Sequence, residues 1–127
     1  MTALSYAASN GHMDVVRLLV LAKAGLNKGD KEGFVALHHL ARLNQADMIK
    51  FLVDHGADVD MASKKTGETP LHTAVQHNQL DAVNALIKCK AKLNNVLIKS
   101  GKNAQQIARE NGYVDVENLI TNSLSNK

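Results

Sequence analysis

The stretch that decides the fold runs from Gly67 to Ile87, GETPLHTAVQHNQLDAVNALI. It sets Thr69-Pro70-Leu71-His72 before Ala74 and Val75, breaks at polar residues, and resumes as an apolar run to Ile87. The order recurs. Leu37-His38, in GFVALHHLARLNQADMIKFLV, stands 34 residues before Leu71-His72. A step of 33 back lands on ALSYAASNGHMDVVRLLV, and a step of 34 forward on GKNAQQIARENGYVDVENLI. Four copies of one unit account for nearly all of the 127 residues. A period of this length marks stacked supersecondary units.

Each copy has a physical reading. A glycine-bearing polar stretch such as KKTGE makes a turn. Thr69 caps a short helix and Pro70 opens it, where a missing N–H costs nothing. The helix runs from Leu71 to about His77, and Asn78 ends it in the left-handed conformation, as Gly11, Asn44 and Gly112 do in their copies. A second helix begins near Asp81, with Asp14, Asp47 and Asp115 repeating an acid at the positive end of the helix dipole. Its apolar face is VVRLLV, MIKFLV or AVNALI. Helices this short are stable only when stacked on neighbouring copies, so the expected fold is an all-α solenoid.

This unit resembles the ankyrin repeat, in the segments GETPLHTAV, NGHMDVVRLLV and HGADVD, and the resemblance covers residues 2 to 121. It implies one domain over 1–127: repeat 1, shortened, at 2–29; repeat 2 at 30–62; repeat 3 at 63–96; and repeat 4, a C-terminal cap, at 97–127. Departures are visible. Val35-Ala36 replaces Thr-Pro in repeat 2, repeat 4 reads NAQQIA, Lys23 and Lys90 stand where glycine usually ends the second helix, and Ile98 stands where an acid commonly opens the turn. Repeat 1 starts inside its own tetrad, as an excised piece of a longer array or a reduced cap would. Glu117, Asn118, Asn122 and Ser123 give the last repeat a polar character suited to a terminal position.

The chemistry of catalysis finds little support. Of six histidines, His38 and His72 sit at the tetrad position, where the resemblance implies hydrogen bonds to backbone and neighbouring repeats. His12 is expected to bridge a turn and His55 to end a helix, whereas His39 and His77 are freer. No His-x-x-x-His with a further acid or thiol is present, so no metal and no cofactor are expected. Cys89 lies between Lys88 and Lys90, which favour a thiolate, but it has no base at defined spacing. An inert thiol is the expectation, and the chain is read as no enzyme. A lone cysteine also points to a reducing compartment and a cytoplasmic protein, with a secreted effector as the alternative.

Surface remains. The resemblance implies a concave groove made of the turn "fingers" and the exposed side of the first helices. Carried over position by position, the partner-binding candidates are Lys31, Glu32, Phe34, Arg42 and Leu43 in repeat 2. Lys64, Lys65, Thr66, Glu68, Gln76 and His77 follow in repeat 3, then Lys99 and Lys102 in repeat 4. Phe34 and Leu43 read as apolar anchors, though Phe34 has a second reading as a ring folded onto Ala36, where the proline is missing. The lysine row reads either as a rim for an acidic partner or as solubilising charge. The net charge of +3 and the lack of groove aromatics beyond Phe34 make nucleic acid a poor partner. The expected function is therefore a monomeric protein-interaction module that binds a protein or peptide, with a scaffold segment of a larger protein as the alternative. Asn27 and Asn94 occupy a hairpin position that, in some ankyrin domains, resembles an oxygenase substrate site.

Overall fold

The computed structural model describes residues 2–125. Its helices come in four pairs: α1 (Ala3–Ser9) with α2 (Met13–Leu21), α3 (Ala36–Arg42) with α4 (Ala46–Asp54), α5 (Pro70–Gln76) with α6 (Leu80–Lys88), and α7 (Ala104–Glu110) with α8 (Val114–Ser125). Among the described residues there is no strand, and no helix is long and apolar enough to cross a membrane. The architecture is the all-α solenoid that the repeat predicts.

Local chemistry explains where each short helix starts. The Thr69 hydroxyl accepts from the His72 N–H at 3.3 Å, while His72 Nδ1 accepts from the Thr69 N–H at 3.0 Å, closing a reciprocal capping box. Thr2 supplies one half of such a box for α1, its hydroxyl accepting from the Ser5 N–H at 3.0 Å with no bond returned. Repeat 2 keeps only half of the box. Val35 has no acceptor, so what survives is its own N–H donating to His38 Nδ1 at 2.9 Å. Repeat 4, whose NAQQIA looks like a lost motif, rebuilds the whole box with other residues. Asn103 Oδ1 accepts from the Gln106 N–H, and Gln106 Oε1 from the Asn103 N–H, both at 2.9 Å.

The reversals are where the sequence places them. Gly11, Asn44, Asn78 and Gly112 take φ of 75°, 59°, 54° and 73° after each first helix. Lys23 and Lys90 take φ of 65° and 68° after α2 and α6, so lysine does adopt there the left-handed backbone that glycine prefers. Asn44 also reaches across, its Oδ1 accepting the Ala82 N–H of the next repeat at 2.9 Å.

First helices form one layer, α1 against α3, α3 against α5 and α5 against α7, while α4, α6 and α8 line up in the other. Leu4, Leu37 and Leu71 fill the first layer; Ile49, Leu52, Leu86 and Ile120 fill the second. Each such side chain contributes about 1.5–3 kcal/mol of burial free energy. Two histidines tie the layers to the turns: His38 Nε2 donates to the Glu68 carbonyl in the finger of the following repeat at 2.8 Å, and His72 Nε2 to the Asn95 carbonyl at the end of its own repeat, just before the fourth finger, at 2.9 Å. The same hairpin position repeats this logic on the far side. Asn27 Oδ1 accepts the Asp58 N–H at 2.6 Å, and Asp60 Oδ1 the Lys92 N–H at 2.8 Å. Asn27 thus joins two hairpins, a structural task, while Asn94 stands exposed.

Candidate functional site

The fingers stack edge to edge. In repeat 2 the Asp30 carboxylate accepts the N–H groups of Glu32 and Phe34 at 2.9 and 3.0 Å, and Gly33 turns the chain at φ 87°. A Cβ at Gly33 would stand 2.8 Å from the Lys64 nitrogen, so glycine is what lets the second finger lie against the third. The Ser63 hydroxyl bonds the Glu32 carbonyl across that seam. The next seam is closed by the Ile98 N–H donating to the Thr66 carbonyl at 2.8 Å.

Finger and first helix share one face. The Lys102 ammonium, in the fourth finger, meets the Glu110 carboxylate at the far end of α7 at 2.7 Å. Glu68, at the base of the third finger, accepts from the Thr73 hydroxyl on α5. Phe34 sets its ring edge-on to His38, with centroids 5.0 Å apart. At the other end of the first helices, Arg42 reaches the Ser9 carbonyl at 3.4 Å and its own carbonyl accepts from Gln79 Nε2 at 2.7 Å. His77 bonds back to the Thr73 carbonyl at 2.9 Å.

The candidates then sort by availability. Lys31, Glu32, Lys64, Lys65, Thr66, His77 and Lys99 are exposed; Phe34, Arg42, Leu43, Glu68, Gln76 and Lys102 are half-buried. Lys31, Lys64, Lys65 and Lys99 have no ion pair among the described residues. Phe34 and Leu43 each bury most of their surface in the domain. The exposed apolar residues of the finger row are others, Val96 and Ile98. Ile98 was visible in the sequence as a departure from the usual acid, which is the signal that points to it.

The titratable groups look structural. Burial lowers His38 to about 4, against the partial compensation of its bond to the Glu68 carbonyl. His72 and His39 are lowered by burial as well. Burial and Asp54 push the Cys89 thiol up, so its lysine neighbours do not make it a thiolate. Cys89 opens onto a polar depression of about 760 Å³ between α4 and α6, beside Lys50, Asp54, Asp81 and Lys88. A protonated thiol there has no base to activate it. Among the described residues, no three His, Cys, Asp or Glu side chains gather as metal ligands would.

Comparison with known proteins agrees with this architecture. The family described as ankyrin repeats (3 copies) matches residues 1–63 and 60–126. The chain belongs to the ankyrin-repeat family. Its relatives are varied. It is 44% identical over 55 residues to alpha-latroinsectotoxin-Lt1a of Latrodectus tredecimguttatus, covering 42% of this chain and 4% of the toxin. It is 43% identical over 61 residues to palmitoyltransferase akr1 of Schizosaccharomyces pombe, covering 47% of this chain and 10% of that protein. It is 34% identical over 68 residues to protein phosphatase 1 regulatory subunit 12A of Mus musculus, covering 54% of this chain and 6% of the subunit. The chain thus spans a small part of each relative's length. What it shares with them is an ankyrin-repeat segment, and ankyrin repeats are in general non-enzymatic modules that bind other proteins.

Proposed function

We propose that this ankyrin domain binds an acidic segment of a partner protein along the finger row and the exposed side of the first helices. The observation that carries the reading is the Lys102–Glu110 contact, which puts finger and helix end on a single continuous face. Lys31, Lys64, Lys65 and Lys99 supply the positive rim. Val96 and Ile98, with the accessible edges of Phe34 and Leu43, supply apolar contacts within it. The fingers are pinned to one another by the Ile98–Thr66 backbone bond and by the Ser63 hydroxyl on the Glu32 carbonyl, so little ordering cost attends binding. The reading places the protein in the cytoplasm, where Cys89 stays reduced.

The test compares affinity capture from a cytosolic extract by the native chain and by a Lys31→Glu, Lys64→Glu, Lys65→Glu, Lys99→Glu variant. All four side chains are exposed, so the variant is expected to keep its helical circular dichroism. A partner retained by the native chain and lost by the variant supports the face. Equal recovery of the same partner by both chains removes the lysine row from the site.

A further inference from the structure

The two ends of the solenoid differ in chemistry. Aligned by the repeat, Val16, Ile49 and Val83 are buried by the repeat that follows, and Glu117 takes their place in the last repeat. Likewise Leu37 and Leu71 give way to Gln105, Ala41 and Val75 to Arg109, and Val53 and Ile87 to Thr121. These polar substitutes also satisfy one another: Arg109 Nε meets Glu117 at 2.7 Å, and Gln105 Nε2 donates to the Thr121 hydroxyl at 3.0 Å. The C-terminal end is sealed.

The N-terminal end is not. Val15 is 45% exposed, whereas its counterparts Met48, Ala82 and Val116 are at 3%, 0% and 0%, each covered by the preceding repeat. Tyr6, at 62%, corresponds to half-buried His39 and to buried Thr73 and Ile107, and Leu18, at 67%, to half-buried Phe51, Ala85 and Leu119. Ala3 is exposed where Ala36, Pro70 and Ala104 are buried. Nothing polar replaces these residues, so the face keeps the composition of an interior seam.

We infer that the face formed by Ala3, Tyr6, Val15 and Leu18 is a docking surface, and that its occupant is a further helix pair of this repeat type supplied from outside residues 1–127. The internal seams state what such a face accepts: aliphatic side chains at the positions of Leu37, Ala41, Ile49 and Val53. The chain's own last repeat presents Gln105, Arg109, Glu117 and Thr121 at those positions, so a second copy added head-to-tail would have to desolvate the Arg109–Glu117 ion pair and the Gln105–Thr121 hydrogen bond against an apolar face. This surface is separate from the finger row and does not depend on it.

The test adds such a pair. A copy of residues 30–68 is joined ahead of Thr2, so that Thr2 follows the copied Glu68 as Thr69 follows Glu68 in the native chain. The expected result is a single unfolding transition with a midpoint raised by about 5 °C or more. Val15→Asn with Leu18→Gln is expected to leave the native midpoint nearly unchanged and to remove most of that rise. Two separate transitions in the extended chain, or an equal effect of the substitutions in both chains, would overturn the inference. Sedimentation equilibrium of the native chain guards against the other occupant. A dimer abolished by the same substitutions would make it a second copy meeting head-to-head and would also overturn the inference.

Discussion

At the scale of single residues, the two buried tetrad histidines do the most and lend themselves to test. Each accepts a backbone N–H at Nδ1 and donates through Nε2 to a carbonyl further along the chain, Glu68 for His38 and Asn95 for His72, which requires the neutral ring. The folded value of His38, about 4, lies below the ordinary 6.5, so unfolded chains bind the proton first as pH falls. Stability from this residue is full above 6.5 and is lost through the window down to 4, with His72 and His39 pulling the same way. Between pH 7.5 and 5.0 the His38 contribution is expected to fall by about 2 kcal/mol, read from urea midpoints. His38→Gln, which can keep the cap as Gln106 does in repeat 4, is expected to flatten that slope. Ser5 holds the tetrad position in repeat 1, and its hydroxyl is buried without a partner. Ser5→Ala is therefore expected to be neutral or to stabilise by up to about 1 kcal/mol in the same assay.

At the scale of elements, each helix is defined by its ends. The first helices have 7 residues and α2, α4 and α6 have 9, too short to persist alone. Lys90 ends α6 with φ 68° in place of glycine. Lys90→Gly is expected to raise the thermal midpoint, through relief of about 1 kcal/mol of left-handed strain, without changing helical content. The capping box of α7 shows why element-level reading of the sequence was incomplete. NAQQIA has the hydrogen-bonding atoms of Thr-x-x-His but none of its letters, so a motif comparison sees loss where the chemistry is retained.

At the scale of the whole molecule, stacking is directional, and the polar last repeat stops it. Restoring inner-repeat residues with Gln105→Leu, Arg109→Ala, Glu117→Val and Thr121→Val would give the chain an open C-terminal seam to match its N-terminal one. Such a variant is expected to grow head-to-tail, with a sedimenting mass that rises with concentration while the native chain's does not. The sequence had located this cap only in part. Of Glu117, Asn118, Asn122 and Ser123, only Glu117 replaces a buried apolar position. Asn118 and Asn122 align with Lys50 and Asp54, which are exposed in any case. The residues that complete the seal, Gln105, Arg109 and Thr121, face the same end from two different helices.

The repeat period, the caps, the left-handed reversals and the helical layers were all determined by the sequence itself, because each depends on residues within four positions of one another or on a spacing that recurs. The tertiary structure alone decided which side chains the stack covers. Phe34 and Leu43 lost most of their surface to their own domain, Val96 and Ile98 kept theirs, and Val15 was exposed where its counterparts were buried. Exposure depends on what lies across a seam some 30 residues away in the chain, and no local pattern carries that distance.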